Sequence, residues 1–253
     1  MMNQGPSAKD DEAIVNPVSN ARSPQLGPVA ILVSPKADLS RCLHRMPWLG
    51  HDFSRLYLSR LYIPKTGEPG PSLVGPMIGA PYAAMILETL IAWGCRQFIF
   101  LGWCGAVDEN VRTGDLIIPS EAVIDEGTSP HYLGADVLSV KSDPNLTQML
   151  FQSVANPDVN VHKGLVWSTD AVFRETRSAV STHQQAGVLG VEMEFSSLLS
   201  VGRYRSVDVA GVLVVSDELS TLNWQPGFKS AKFKKGRAAA LEGIIRCIRK
   251  LRK

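Results

Sequence analysis

Long apolar runs are missing from this 253-residue chain. The uninterrupted ones are short, as at Val212–Val215, and none nears the roughly 18 to 20 residues a membrane-spanning helix needs. Residues 1–11 are polar and lack the apolar core of a signal sequence, so no secretory leader is expected. Cysteine is also scarce. Cys42, Cys95, Cys104 and Cys247 stand far apart, with no C-x-x-C pair and no histidine at zinc spacing. That excludes a disulfide framework and predicts a reducing, cytoplasmic setting with no metal. His44, two residues after Cys42, reads as a surface residue. No internal repeat is present, and 21 Gly with 16 Pro is loop-rich but far from low complexity.

Net charge is close to zero, at +2, but it is unevenly spread. Residues 229–253 carry ten Lys/Arg against one Asp/Glu, which leaves −7 on the rest. A basic tail suggests nucleic acid, yet this one lacks interleaved aromatics and any recognisable module. Leu241, Ile244, Ile245, Ile248 and Leu251 recur at spacings of three and four. That periodicity predicts an amphipathic helix whose basic residues cover the wet face and complement the helix dipole. Neither a nucleic-acid partner nor a membrane is expected.

Strand-like and helix-like segments alternate along the chain. Residues 1–26 have the composition of a disordered arm, so one domain over 27–253 is expected. Pro28–Val33 is a short buried strand. Residues 41–61 mix Arg, His and aromatics, consistent with a helix plus an edge segment, and Lys65–Pro71 is a turn. Ser72–Ile78 is extended, and Pro81 suits the first helical position of a helix ended by Gly94. Gln97–Leu101 is a second buried strand that breaks at Gly102. Further strands are predicted at Gly114–Pro119, Ala122–Ile124, Lys163–Ser168 and Ser206–Ser216, and helices at Asn145–Ala155 and from Glu194. This is an α/β pattern with a largely parallel or mixed central sheet and flanking helices. Ligands of such sheets bind beyond the carboxyl ends of strands.

Four segments just past strands hold unusual residues. In Gly102-Trp-Cys-Gly-Ala106 two glycines could turn backbone N–H groups toward a ligand, or simply make a tight turn. Cys104 alone reads as a small buried hydrophobe. In Gly190-Val-Glu192-Met193-Glu194 a carboxylate could accept hydrogen bonds from both hydroxyls of a sugar diol, with Met193 as an apolar wall. Acidic residues in a helix's first turn explain the same pattern. Ser216-Asp217-Glu218 follows a wholly apolar strand, so Asp217 is placed to be a partly desolvated general acid or, more plainly, a turn residue. Phe173, after the 163–168 strand, suits stacking on a flat base, or else the core.

In order the chain reads GAPYAAMILETLIAWG (79–94), GWCGAV (102–107), GDLIIPSEAVIDEGTSPHY (114–132), STDAVFRE (168–175), GVEMEFSSLL (190–199) and VSDEL (215–219). From about residue 28 onward this resembles the nucleoside phosphorylase family of the trimeric or hexameric kind. That family includes purine nucleoside and uridine phosphorylases and related nucleosidases. DEGTS and GVEME are specific in this order, whereas VSDE alone is weak. The resemblance implies one α/β domain whose mixed sheet partly closes into a barrel. It implies cleavage of the N-glycosidic bond of a nucleoside, no cofactor, phosphate as co-substrate in a phosphorylase, and a homo-oligomer. By similarity Glu194 holds the ribose hydroxyls with Glu192 beside it, and Met193 packs on the sugar. Asp217 protonates a purine at N7, next to Ser216. Cys104 and Gly105 line the base pocket, with Phe173 or Val172 on its face.

The phosphate site departs from the family. Phosphorylases usually carry an Arg two residues before the equivalent of Gly102 and a Ser or Thr directly after it. Here Phe100 and Trp103 stand there. The family's Gly-Asp-Pro-x-Arg-like loop is replaced by Val33-Ser-Pro-Lys-Ala37. An anion cradle thus loses two cations and a hydroxyl. Arg41, Arg45, Arg55, Arg60 or Arg174 are the candidate substitutes, some from a neighbouring subunit. Three functions fit these residues: a phosphorylase with a rearranged phosphate site (purine favoured over uridine), a hydrolase using water, and a non-catalytic nucleoside binder.

Overall fold

The computed structural model describes residues 13–65 and 70–251. In chain order the elements are β1 (Val29–Val33), α1 (Lys36–Arg45), β2 (Ser54–Leu56), β3 (Ser59–Tyr62), β4 (Ser72–Gly75), α2 (Ala80–Ala92), β5 (Gln97–Ala106) and β6 (Leu116–Asp125). Then come α3 (Pro130–Leu133), β7 (Ser139–Lys141), α4 (Pro144–Val154), β8 (Val161–Thr169), α5 (Arg177–Gln185), β9 (Val188–Glu192), α6 (Phe195–Arg205), β10 (Asp208–Glu218), β11 (Gln225–Pro226) and α7 (Ala231–Leu251). A single 3-10 turn, Val172–Arg174, lies between β8 and α5.

All the strands belong to one mixed sheet, ordered β11-β10-β6-β8-β9-β5-β1-β4-β3-β2, with β7 beside β6. A further pairing of β10 with β5 closes β10, β6, β8, β9 and β5 into a five-stranded barrel. The chain therefore folds as one α/β domain, as its alternating pattern predicts. β5 and β10 read as solid apolar runs because both faces are covered. Phe98 and Phe100 of β5 pack with α2 and α6 in one cluster. Ile99 and Leu101 alternate into a second cluster with α1, α4 and α7. On α7, Leu241, Ile244, Ile245 and Ile248 are buried as their spacing predicts.

Several expectations are corrected. β5 does not break at Gly102 but runs to Ala106, because residues 102–106 pair with Leu213–Glu218 of β10. Small residues permit this close approach: a Cβ at Gly105 would lie 2.3 Å from Leu219 Cδ1. The two strands expected over 114–124 are one, β6, with an irregularity between Pro119 and Glu121. α1 begins at Lys36, not in the 41–61 segment, and α5 and β9 fill a stretch that sequence periodicity left blank. Residues 1–12 of the expected arm and 66–69 of the expected turn lie outside the described residues. Nearer the domain, the Trp93 indole donates to the Val18 carbonyl (2.9 Å), and Leu26 N–H donates to the Trp93 carbonyl (3.2 Å). Among the described residues no helix is long and apolar enough to cross a membrane.

Candidate active site

One edge of β5 changes partner. β1 runs beside it as far as Val33 opposite Leu101, and β9 takes over at Val191 opposite Gly105. β10 occupies the other edge throughout. Among the described residues, 102–104 therefore have no strand partner on the first edge, and a cleft of about 780 Å³ opens there. Such a switch point is where open α/β sheets bind ligands. Its walls come from the ends of β1, β4, β8, β9 and β10.

At one end stand the two glutamates of GVEME, and their environments differ. Glu192 Oε2 accepts from the backbone N–H of Glu194 (2.7 Å) and of Phe195 (2.8 Å), at the start of α6. Its Oε1 accepts from the Ser168 hydroxyl. Glu192 thus satisfies a helix N-terminus, where orphan N–H groups need an acceptor. Behind it, the Ser196 hydroxyl donates to Glu126 Oε1 (2.9 Å), and Ser129 also donates to Glu126. This buried polar network ties DEGTS to GVEME. Glu194 instead faces the cleft. Gly79 N–H donates to its Oε1 (2.7 Å), and Met193 N–H approaches the same carboxylate. Gly79 has φ +81°, a conformation that favours glycine and aims this N–H. A carboxylate has about four acceptor sites, so two donors leave capacity for a ligand. Burial, then the charge of Glu192, raises the pKa of Glu194 above the ordinary carboxylate range.

Elsewhere on the cleft wall, Asp217 ends the buried run of β10. Ser216 Oγ lies 2.6 Å from its Oδ1, and the Trp224 indole N–H donates to its Oδ2 (2.8 Å). Burial raises the Asp217 pKa, and these two hydrogen bonds pull it back. Cys104 and Gly105 line the same wall. Burial, with Asp217 and Glu192 adding, pushes the Cys104 thiol well up, so it stays protonated and unsuited to nucleophilic attack. Val172 and Glu175 enter from the loop after β8, and the Glu175 pKa is raised to about 7 by burial and by the charge of Asp217.

The remaining wall holds Trp103. Its indole N–H donates to Asp38 Oδ2 (2.6 Å), and Arg237 of α7 reaches Asp38 Oδ1 through Nε (2.8 Å) and Nη2 (2.7 Å). The guanidinium also lies 5.0 Å from the Trp103 ring centroid. Asp38 is 2% exposed. Phe100 does not reach the cleft; it is fully buried, with its ring stacked 5.9 Å from Phe195. Among the described residues, the charged side chains lining the cleft are all acidic: Glu175, Glu192, Glu194 and Asp217.

The structure thus gathers Cys104, Gly105, Glu192, Met193, Glu194, Ser216 and Asp217 into one cavity. Phe173 stands apart, 97% exposed, while its neighbour Val172 lines the cleft. Of the two residues named for that position, Val172 and not Phe173 lines the cleft. Trp224, Asp38 and Arg237 escaped the sequence reading because each acts alone, without a motif around it, and Glu175 closes the STDAVFRE block without having been singled out. Glu126 lay within the DEGTS block, unmarked as a structural acceptor. Among the described residues no cluster of His, Cys, Asp and Glu is arranged to hold a metal.

A sheet closed on itself with its cleft at this switch point, and this order of motifs, define a family. The chain belongs to the phosphorylase superfamily, whose model matches residues 38–250. It is 29% identical over 142 residues to a guanosine phosphorylase of Halorubrum lacusprofundi, covering 56% of this chain and 58% of that one. It is 26% identical over 152 residues to a DeoD-type purine nucleoside phosphorylase of Clostridium novyi, covering 59% and 65% respectively. The chain thus spans less than two thirds of these relatives' length. In fold it superposes on uridine phosphorylase from Vibrio fischeri with TM-score 0.76 and 23% identity, over 89% of this chain and 93% of that one. Purine nucleoside phosphorylase from Toxoplasma gondii gives TM-score 0.78 at 17% identity, over 90% and 92%.

Proposed function

We propose that this cleft cleaves the N-glycosidic bond of a purine nucleoside. The observation that carries the reading is a ribose-grade acceptor, Glu194, sharing one cavity with a desolvated acid, Asp217. Glu194 accepts from the 2′- and 3′-hydroxyls, Met193 packs on the sugar, and Glu192 positions Glu194 by holding the start of α6. As the C1′–N9 bond breaks, its electron pair moves into the base and Asp217 delivers a proton to N7. The nucleophile then bonds to C1′ of the oxocarbenium-like sugar. Phosphate as nucleophile yields ribose 1-phosphate, and water yields ribose.

The phosphate site is atypical in this reading. Phosphate carries nearly two negative charges and needs fixed donors. Here the indole of Trp103 fills the wall, a buried carboxylate backs it, and Arg237, the guanidinium beside it, is already paired. That favours water as a second reading. A phosphate site would need a cation from another subunit. Leu58 (91% exposed) and Ile78 (71%) on the outer wall of the cleft fit burial against a second copy, in a trimer or hexamer. Four buried, unpaired cysteines suit a reducing, cytoplasmic setting.

The test is a panel of purine nucleosides and uridine, assayed for free base with and without phosphate. Release of purine supports the reading, and its dependence on phosphate selects the nucleophile. Release from uridine alone overturns the purine assignment, and binding without release leaves only the nucleoside grip.

A further inference from the structure

Trp224 is 65% exposed, yet its indole N–H donates to Asp217 Oδ2 at 2.8 Å. The chain is built to bring it there. After Glu218 it turns back, and β11 pairs antiparallel with the end of β10, with Pro226 opposite Asp217 and Gln225 opposite Glu218. Neighbouring elements hold this turn in place. From α5 the Gln184 amide donates to the Ser220 carbonyl (2.8 Å), and Arg177 donates to Asn223 Oδ1 (3.3 Å). Gly227 N–H donates to the Ser216 carbonyl (2.9 Å), and the Trp224 ring meets Phe228 edge-on with centroids 6.5 Å apart.

We propose that Trp224 is a positioning residue for the reaction: its N–H holds Asp217 by Oδ2 and stabilises the carboxylate left when that acid gives up its proton. The inference rests on the reading of Asp217 as the acid. An indole N–H only donates, so the oxygen it meets serves as a bare acceptor and the proton belongs on Oδ1. There Ser216 Oγ, 2.6 Å away, can donate or accept, and its own hydrogen can turn to the Cys104 carbonyl (3.2 Å). As the base leaves, the Oδ1–H bond breaks, an N7–H bond forms, and the electron pair of the old bond stays on the carboxylate. Hydrogen bonds to a charged acceptor are the stronger kind, so the Trp224 contact tightens as that charge appears. Among the described residues no cation pairs with Asp217. Glu218 on its own strand and Glu175 after β8 are acids, the Cys104 thiol of β5 is neutral, and Arg112 is taken by Glu218. The hydrogen bonds from Ser216 and Trp224 are therefore what stabilises its charged form.

The experiment compares the wild type, Trp224→Phe and Asp217→Asn by carboxyl-carbon NMR titration and by turnover of adenosine and inosine across pH. The Asp217 resonance is the one lost in Asp217→Asn, and phenylalanine keeps a ring while removing the donor. In Trp224→Phe the Asp217 titration should move up by about one pH unit, because a hydrogen bond to a charged group favours the carboxylate by about tenfold. Turnover on the acid plateau should fall about three- to tenfold with KM unchanged, and the basic limb should move up with the titration. An indole that merely props the turn would not move that limb. An unmoved titration, or turnover that is unchanged or lowered equally at every pH, overturns the role of Trp224 while the acid reading stands. Wild-type turnover in Asp217→Asn, or no turnover of either nucleoside by the wild type, overturns the acid reading and this inference with it.

Discussion

Two carboxylates, Glu194 in the cleft and Asp38 behind its Trp103 wall, are both buried, yet one has room for a ligand and the other has none. Glu194 carries a single strong contact, Gly79 N–H, and turns its remaining acceptor capacity toward the cavity. Asp38 is enclosed, with Trp103 on one oxygen and Arg237 on the other. A buried acceptor left short of donors is costly until something binds, whereas a fully partnered ion pair is architecture. The contrast teaches that charge counting alone would misplace function here. Both are buried acids, one lining the cleft and the other behind Trp103, and their hydrogen-bond inventories tell them apart.

The sharpest way to break this comparison is at the Trp103 end. Asp38→Asn leaves a nearly buried guanidinium unpaired, so the stability to urea should fall by about 3 to 5 kcal/mol. Adding Arg237→Met should restore most of it. If Asp38→Asn unfolds at the wild-type urea concentration, the ion pair is not structural. Next in size is Asp217→Asn, which should lower turnover by about 10² or more with near-normal nucleoside affinity. Purine cleavage at the wild-type rate in that variant removes Asp217 as the acid.

Glu194→Gln tests the other end directly. Losing charge-assisted hydrogen bonds should weaken nucleoside binding by about 1.5 to 3 kcal/mol, with little change for the free base. Equal losses for both ligands would contradict the sugar assignment. Smaller still is the effect of pH. Folding raises the pKa of Glu194, and that of Glu175 from 4.5 to about 7. A raised carboxyl pKa means the folded state binds the proton more tightly. Its contribution to stability is therefore fully present below the unfolded pKa and lost as pH rises through the folded value. Stability should thus decline more steeply in the wild type than in Glu194→Gln between about pH 4.5 and 8, and more steeply than in Glu175→Gln between about pH 4.5 and 7. Parallel unfolding curves across that range would show that these carboxyls are not desolvated.

Much of this was legible in advance. β1, β5 and β10 are covered on both faces, so they appear as solid apolar runs, and α7 shows a clean three-four spacing. α5 and β9 were hidden because α5 buries little beyond Val180, and β9 carries a glycine where its ladder crosses from β8 to β5. The end of β5 misled for the opposite reason. Two glycines look like a break, but in a closing barrel they let three strands crowd together.

The alternating apolar pattern and the ordered motifs by themselves determined the α/β class, the family and the placement of Glu194 and Asp217 at strand ends. Those are local properties, written in spacing and in the residues that come directly after a buried run. Only the tertiary structure decided that Glu192 serves a helix start while Glu194 meets the cavity, and that Phe173 points outward. It also set Glu175 beside Asp217 and closed Arg237 onto Asp38 across 199 positions of chain. Which donor reaches which oxygen depends on groups brought together by barrel closure, and no local spacing encodes that distance.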